Sequence, residues 1–159
     1  MNDRTDAGAL TTTFALIQAS SLLGHELTDK WRLQVLYRTL YQEGILQRPL
    51  LVDRHNMVIL DGHHRFECLR RLGCWLIPAY LVNYFDPRIQ VSSRRDGITV
   101  SKQAVLRRGI NRRPYPPRTT CHTLTVSLFR RPIQLKNLAC RDSAPPCQTM
   151  APRPSWDVC

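Results

Sequence analysis

A small α+β domain built on a mixed sheet is the fold class this sequence predicts, and three observations predict it. Short runs of β-branched and aromatic residues alternate with stretches whose apolar residues recur at helical spacing. The 159 residues are enough for one domain with a modest core. Apolar patterning ends after Leu138, where Ala, Pro, Ser and Cys take over. The expected domain therefore covers residues 14–139, and residues 140–159 are expected to form a disordered basic tail containing Pro and Cys.

The elements follow in chain order. Residues 14–18 read as a first strand, and Gly24-His25-Glu26 as a loop. Thr28 and Asp29 are candidate helix caps, and beyond them Leu33, Leu36, Tyr37 and Leu40 share one helical face that Gly44 closes. Pro49-Leu50-Leu51-Val52-Asp53 and Met57-Val58-Ile59-Leu60 read as a hairpin about the turn Arg54-His55-Asn56. After Asp61-Gly62-His63-His64-Arg65, a helix is expected to bury Phe66, Leu69 and Leu72 and to stop at Gly73. Residues 75–82 suit a strand, with Pro78 pointing to a sheet edge or strand start. Ile98-Thr99-Val100 suggests a further short strand, and Ser101 a cap for a helix over 102–108 that Gly109 closes. The segment from Arg112 to His122 reads as a Pro-rich basic loop.

Charge is distributed unevenly. Through Asp86 nine Lys and Arg balance nine acids, whereas from Pro87 onward 14 basic residues face only Asp96, Asp142 and Asp157. The whole excess of +11 lies in the second half, which implies an anionic partner there, such as a nucleotide, a nucleic acid or a membrane surface. No apolar run is long enough to span a bilayer and the first 13 residues are polar, so a soluble cytoplasmic protein without a membrane partner is expected. The six cysteines show no CxxC spacing, which argues against a zinc site, and no metal-ligand set is expected from the chain.

The most informative segment is Asp61-Gly62-His63-His64-Arg65, where an apolar strand runs into an amphipathic helix. A helix start leaves backbone N–H groups without intrahelical partners, a natural seat for phosphate. Gly62 would let a ligand approach the backbone, Arg65 offers a planar fork of donors, and Asp61 could hold a metal ion or orient a hydroxyl. The adjacent rings of His63 and His64 must point in different directions, one toward a ligand and one toward the fold.

The segments Pro49-Leu50-Leu51-Val52-Asp53, Val58–Arg65 and Leu69-Arg70-Arg71-Leu72-Gly73 with Ile77-Pro78-Ala79-Tyr80-Leu81-Val82 together resemble the ParB/sulfiredoxin superfamily, including its ParB-like nuclease domains. That resemblance implies a small mixed sheet with packed helices, in which a G-x-x-R turn contacts nucleotide phosphates. Sulfiredoxins carry a reactive cysteine in this turn. Here the turn holds Gly62, His63 and His64, and Cys68 lies a helical turn beyond, which argues against sulfiredoxin chemistry.

A narrower resemblance, to the free serine kinases of that fold, rests on Glu26, on the 61–65 turn and on Pro116-Pro117-Arg118-Thr119-Thr120-Cys121-His122. It implies phosphoryl transfer from ATP or ADP, with Mg²⁺, to free L-serine, giving O-phosphoserine. Glu26 would be the base and Asp61 a second catalytic group. Gly62, His63, His64 and Arg65 would hold the nucleotide phosphates, and Thr119, Thr120 and His122 would close over serine on a mobile loop. Arg118 stands where Lys is common, and Cys121 where a basic residue is common. The alternative is a ParB-like nucleotide-binding regulator that contacts DNA through the basic half and transfers no phosphate. A nuclease is the least supported reading, because no carboxylate cluster for two metals is present.

Overall fold

A computed structural model describes residues 10–128 and 130–138. The expected tail, residues 140–159, lies outside the described residues. The central layer is a five-stranded mixed sheet. Its strands are β1 (Thr12–Gln18), β2 (Leu23–Gly24), β4 (Leu50–Asp53), β5 (Val58–Asp61) and β6 (Leu76–Val82), in the spatial order β1-β6-β4-β5-β2. The hairpin β4–β5 is antiparallel and shifts register between Leu51 and Val52. β6 runs parallel to β4 and antiparallel to β1.

Both faces of this sheet are covered. That is why β4 is buried at every residue instead of alternating. On one face Leu50, Val52, Ile59, Ile77 and Ala79 meet Leu33 and Leu40 of helix α1 (Lys30–Glu43) and Cys68 and Leu69 of helix α2 (His63–Arg71). Leu69 is buried, whereas Phe66 and Leu72 only flank that core. On the other face Leu51, Val58, Leu60, Tyr80 and Val82 meet Val105 and Leu106 of helix α3 (Lys102–Ile110). Each fully buried aliphatic side chain of this kind contributes about 1.5–3 kcal/mol to folding.

The helix ends follow local chemistry. The Asp29 side chain accepts the Arg32 N–H at 2.9 Å, and Gly44 closes α1 in the left-handed region at φ 66°. Ser101 accepts the Ala104 N–H at 3.1 Å at the start of α3. Gly109 does not close α3, which runs on to Ile110. The glycine is buried in the last turn, where an added Cβ would lie 2.9 Å from both methyl carbons of Val58.

Three expectations are corrected by tertiary pairing. Ile98-Thr99-Val100 is not a strand; Ile98 and Val100 pack against the second core without pairing. β7 (Ile89–Ser93) instead pairs with β8 (Thr120–Leu124), so Cys121 and His122 stand on a strand and not in a loop. Pro78 is not at a sheet edge, since β6 has neighbours on both sides; it faces Leu16 just before the pairing with β4 begins at Leu50 and Ala79. A further small pair, β3 (Ile45–Leu46) with β9 (Ile133–Gln134), closes the α1 end. Among the described residues, no helix is long and apolar enough to cross a membrane.

Candidate active site

β5 delivers Asp61 to the sheet end, Gly62 turns the chain, and α2 begins at His63. Gly62 sits at φ 108°, and an added Cβ there would meet Leu50 Cγ at 2.9 Å and Arg65 Nη2 at 3.1 Å. Only glycine fits both conditions. No side chain caps this helix, and its first intrahelical bond is from Phe66 N–H to Gly62 O, so the preceding amides are free for an anion.

Arg65 is braced rather than loose. Nη1 donates to the carbonyls of Arg48 at 3.0 Å and Pro49 at 2.7 Å, while Nη2 pairs with Asp61 Oδ2 at 2.6 Å. The Nε–H and the second Nη2 hydrogen remain for a ligand. Asp61 is largely exposed at the rim.

The two histidines of the turn are engaged with the chain opposite. His63 Nε2 accepts the His25 backbone N–H at 3.2 Å, and His64 Nε2 accepts the Asp29 N–H at 2.9 Å. Each ring therefore uses one nitrogen to tie residues 25–29 to α2. Burial holds His63 well below the ordinary imidazole pKa, with neighbouring histidines adding to the effect, and burial lowers His64 as well.

Glu26 forms the facing wall. Oε1 accepts the Arg118 N–H at 2.8 Å, and Oε2 accepts the N–H groups of Thr119 at 3.1 Å and Thr120 at 2.8 Å and the Thr120 hydroxyl at 2.7 Å. Three successive amides around Arg118, at φ 57°, make an anion nest that the carboxylate fills. The segment is stitched further by Tyr115 N–H to His25 O at 2.8 Å and Leu27 N–H to Tyr115 O at 2.9 Å. The expected mobile loop is thus a tethered segment that leads into β8. Thr119 is fully buried and donates its hydroxyl to Pro116 O at 2.7 Å, so its side chain serves the loop and does not line the cleft.

His122 lies deeper. Its Nε2 lies 2.7 Å from the Tyr84 hydroxyl, and burial, with the nearby His25 ring, pushes its pKa down to about 3. Its ring is therefore neutral at physiological pH.

These groups enclose a cleft of about 530 Å³. Glu26, Asp61, Gly62, His63, His64, Arg65, Thr120 and His122 all line it, and so do Arg32, Arg94 and Arg118. The last three were not among the expected site residues. Arg32 and Arg118 carried a signal, since each is within six places of Asp29 or Thr120 in the sequence, but Arg94 carried none before β7 and β8 were paired. A larger cleft of about 720 Å³ between Gln18, Arg70 and Trp75 has Arg70 as its one charged residue, whereas the smaller one gathers the carboxylates, histidines and arginines. Cys68 is buried and its thiol is pushed up to about 11 by burial, which disqualifies it as a nucleophile.

No family model matches the chain. A solved free serine kinase in complex with AMP superposes with a TM-score of 0.70 at 15% identity, covering 84% of this chain and 98% of that one. The fold is the ParB/sulfiredoxin-like fold of the free serine kinases. Among curated proteins, the chain is 31% identical over 84 residues to an ATP-dependent L-serine kinase of Staphylothermus marinus, covering 49% of this chain and 32% of that protein. It is 37% identical over 67 residues to a ParB-like protein of Sulfolobus acidocaldarius, covering 36% of this chain and 34% of that protein. The chain thus spans about a third of the length of the curated relatives it matches. The cleft lies between the start of α2 and the Glu26 nest, and each wall carries both an acid and an arginine, Asp61 with Arg65 on one and Glu26 with Arg118 on the other.

Proposed function

We propose that this protein transfers a phosphoryl group from ATP or ADP to the hydroxyl of free L-serine, releasing O-phosphoserine. The observation that carries the reading is a single cleft that brings together an uncapped helix start, four arginines and one structured carboxylate, Glu26. Phosphoryl transfer asks for placement and charge neutralisation, and little covalent help. The amides of residues 62–65 and the free donors of Arg65 would hold phosphate oxygens, with Arg94 and Arg118 adding positive charge over the transferring group. Glu26 would take the proton from the serine hydroxyl, and Thr120 and His122 would orient serine. The named activity of the Staphylothermus relative and the AMP complex of the solved kinase support the same assignment.

Among the described residues, no three His, Cys, Asp or Glu side chains cluster to hold a metal on their own. Mg²⁺ bound through nucleotide phosphates needs only one or two carboxylates. The exposed Asp61, one oxygen of which is left by Arg65, fits that need and would hold it at the rim, where it would neutralise phosphate charge. The direct test is incubation of the purified protein with serine, Mg²⁺ and either ATP or ADP, followed by detection of phosphoserine. Folded protein that forms none with either donor refutes the reading.

A second reading, a nucleotide-binding regulator on DNA, is favoured by exposed Arg107, Arg112 and Arg113 at the end of α3. It expects DNA retention that falls steeply with salt. Retention that is insensitive to salt removes its electrostatic basis.

A further inference from the structure

One buried residue outside the cleft completes the surroundings of Glu26. His25 is fully buried and does not line the cleft, yet both of its ring nitrogens are engaged. Nδ1 lies 2.7 Å from the Ile59 carbonyl oxygen, which can only accept, so Nδ1 carries a hydrogen. Nε2 lies 2.9 Å from Thr120 Oγ1, and that oxygen lies 2.7 Å from Glu26 Oε2. A single hydroxyl hydrogen therefore serves two short links, one to a carboxylate and one to an imidazole.

Counting protons shows what this arrangement favours. With Glu26 ionised and His25 neutral, one of the two links lies between lone pairs with no hydrogen in it. One added proton completes both. It can sit on Oε2, with Oε2–H donating to Oγ1 and the Thr120 hydroxyl donating to Nε2. It can equally sit on Nε2, with Nε2–H donating to Oγ1 and the hydroxyl donating to Oε2. The two arrangements interconvert by moving one proton along each link.

We propose that His25, acting through the Thr120 hydroxyl, is a positioning residue that makes Glu26 part of a proton-accepting relay. The inference rests on the phosphoryl-transfer reading. As the serine oxygen bonds to phosphorus, the bond from phosphorus to the nucleotide oxygen breaks and its electron pair leaves with the nucleotide. The proton of the serine hydroxyl enters the relay through Glu26 and is returned to water when Glu26 ionises again. The groups facing His25 are compatible with this role. His63 of α2 has its ring 4.5 Å away and His122 of β8 lies at 5.6 Å, both held neutral by burial, while Tyr115 lies at 6.5 Å. Burial likewise lowers the His25 pKa, against which the Ile59 carbonyl and the Glu26 charge act, so the resting ring is ready to accept.

The test uses Thr120→Val, Thr120→Ser and His25→Gln in the full chain, with phosphoserine formation followed against pH. Thr120→Val and His25→Gln are expected to lower kcat by about 10–100-fold, within the range of general-base effects. Both should move the acid limb of the kcat profile to lower pH, with KM for the nucleotide within about twofold. Thr120→Ser, which keeps the hydroxyl, should restore the limb. An unmoved limb with kcat within twofold in Thr120→Val overturns the relay, whether or not His25→Gln folds. A second arm needs no kinase activity: ¹⁵N imidazole titration of His25 by NMR. Glu26→Gln should move that titration to lower pH, and by a smaller amount in the Thr120→Val background. Equal shifts in both backgrounds overturn the coupling. Linked titrations in a protein that makes no phosphoserine would instead sustain the relay and refute the kinase reading.

Discussion

One wall of the cleft is five consecutive residues, Asp61 to Arg65, whereas the other joins Glu26 to amides and a hydroxyl as far as 94 positions away. The first takes its shape from backbone conformation: a glycine at φ 108° and a helix start that no side chain caps. The second takes its shape from a carboxylate that gathers four donors. The histidines of the first wall also latch the second, since His63 and His64 accept backbone N–H groups from His25 and Asp29. The first wall is thus shaped mainly by neighbouring residues, whereas the second exists only when the fold has assembled it.

That division can be broken by mutation. We predict the largest effect for Glu26→Gln, a loss of about 10²–10⁴-fold in phosphoserine turnover with nucleotide affinity nearly unchanged. A parallel loss of ADP affinity in calorimetry would mean that the walls are not separable. Arg65→Ala is expected to weaken nucleotide binding by about 10–100-fold, the worth of a charged hydrogen bond of about 1.5–3 kcal/mol. Arg65→Lys should rescue it poorly, because one ammonium cannot span Arg48 O, Pro49 O and Asp61 at once.

Gly62→Ala tests the first wall's dependence on conformation. It should cost about 1–3 kcal/mol in urea unfolding through backbone strain, with added crowding against Leu50. A stability unchanged within error would show that the turn can relax.

The remaining effect concerns pH. A histidine whose pKa is lowered on folding contributes stability that is fully present above about 6.5 and is lost as pH falls toward its folded value. For His122 that window runs from about 6.5 down to about 3, at about 1.4 kcal/mol per pH unit. His122→Gln should flatten the loss of unfolding free energy between pH 6.5 and 5 by that slope. An identical slope would place the acid sensitivity in other groups.

Much of the frame was legible because its signals are local. Asp29 and Ser101 cap helices, Gly44 ends one, and the 50–53 and 58–61 runs pair across their own short turn. The start of α2 was legible for the same reason, through Gly62. β7 was not, because Ile89–Ser93 alternates with polar residues and has its partner beyond a whole helix, in β8. The Thr120–Leu124 strand was masked by the prolines that precede it. The roles of His63 and His64 were only half legible. Adjacent rings had to diverge, but that both nitrogens would grip residues 25–29 depends on contacts 35 and 38 positions apart. Residue His25 sits beside Glu26 in sequence, yet its partners Ile59 and Thr120 are 34 and 95 positions away.

Gly109 inverts a familiar rule of protein engineering. Alanine in place of a helix-interior glycine ordinarily gains up to about 1 kcal/mol, so a stabilisation screen would choose this position first. Here the new methyl would collide with both branches of Val58, a side chain with no freedom to retreat. The hydrogen at position 109 thus acts as a spacer gauge for α3 against β5, the strand that ends in Asp61. Gly73 and Gly97 offer no easier route, since a Cβ there meets nothing within 4 Å but φ values of 79° and 74° strain any side chain.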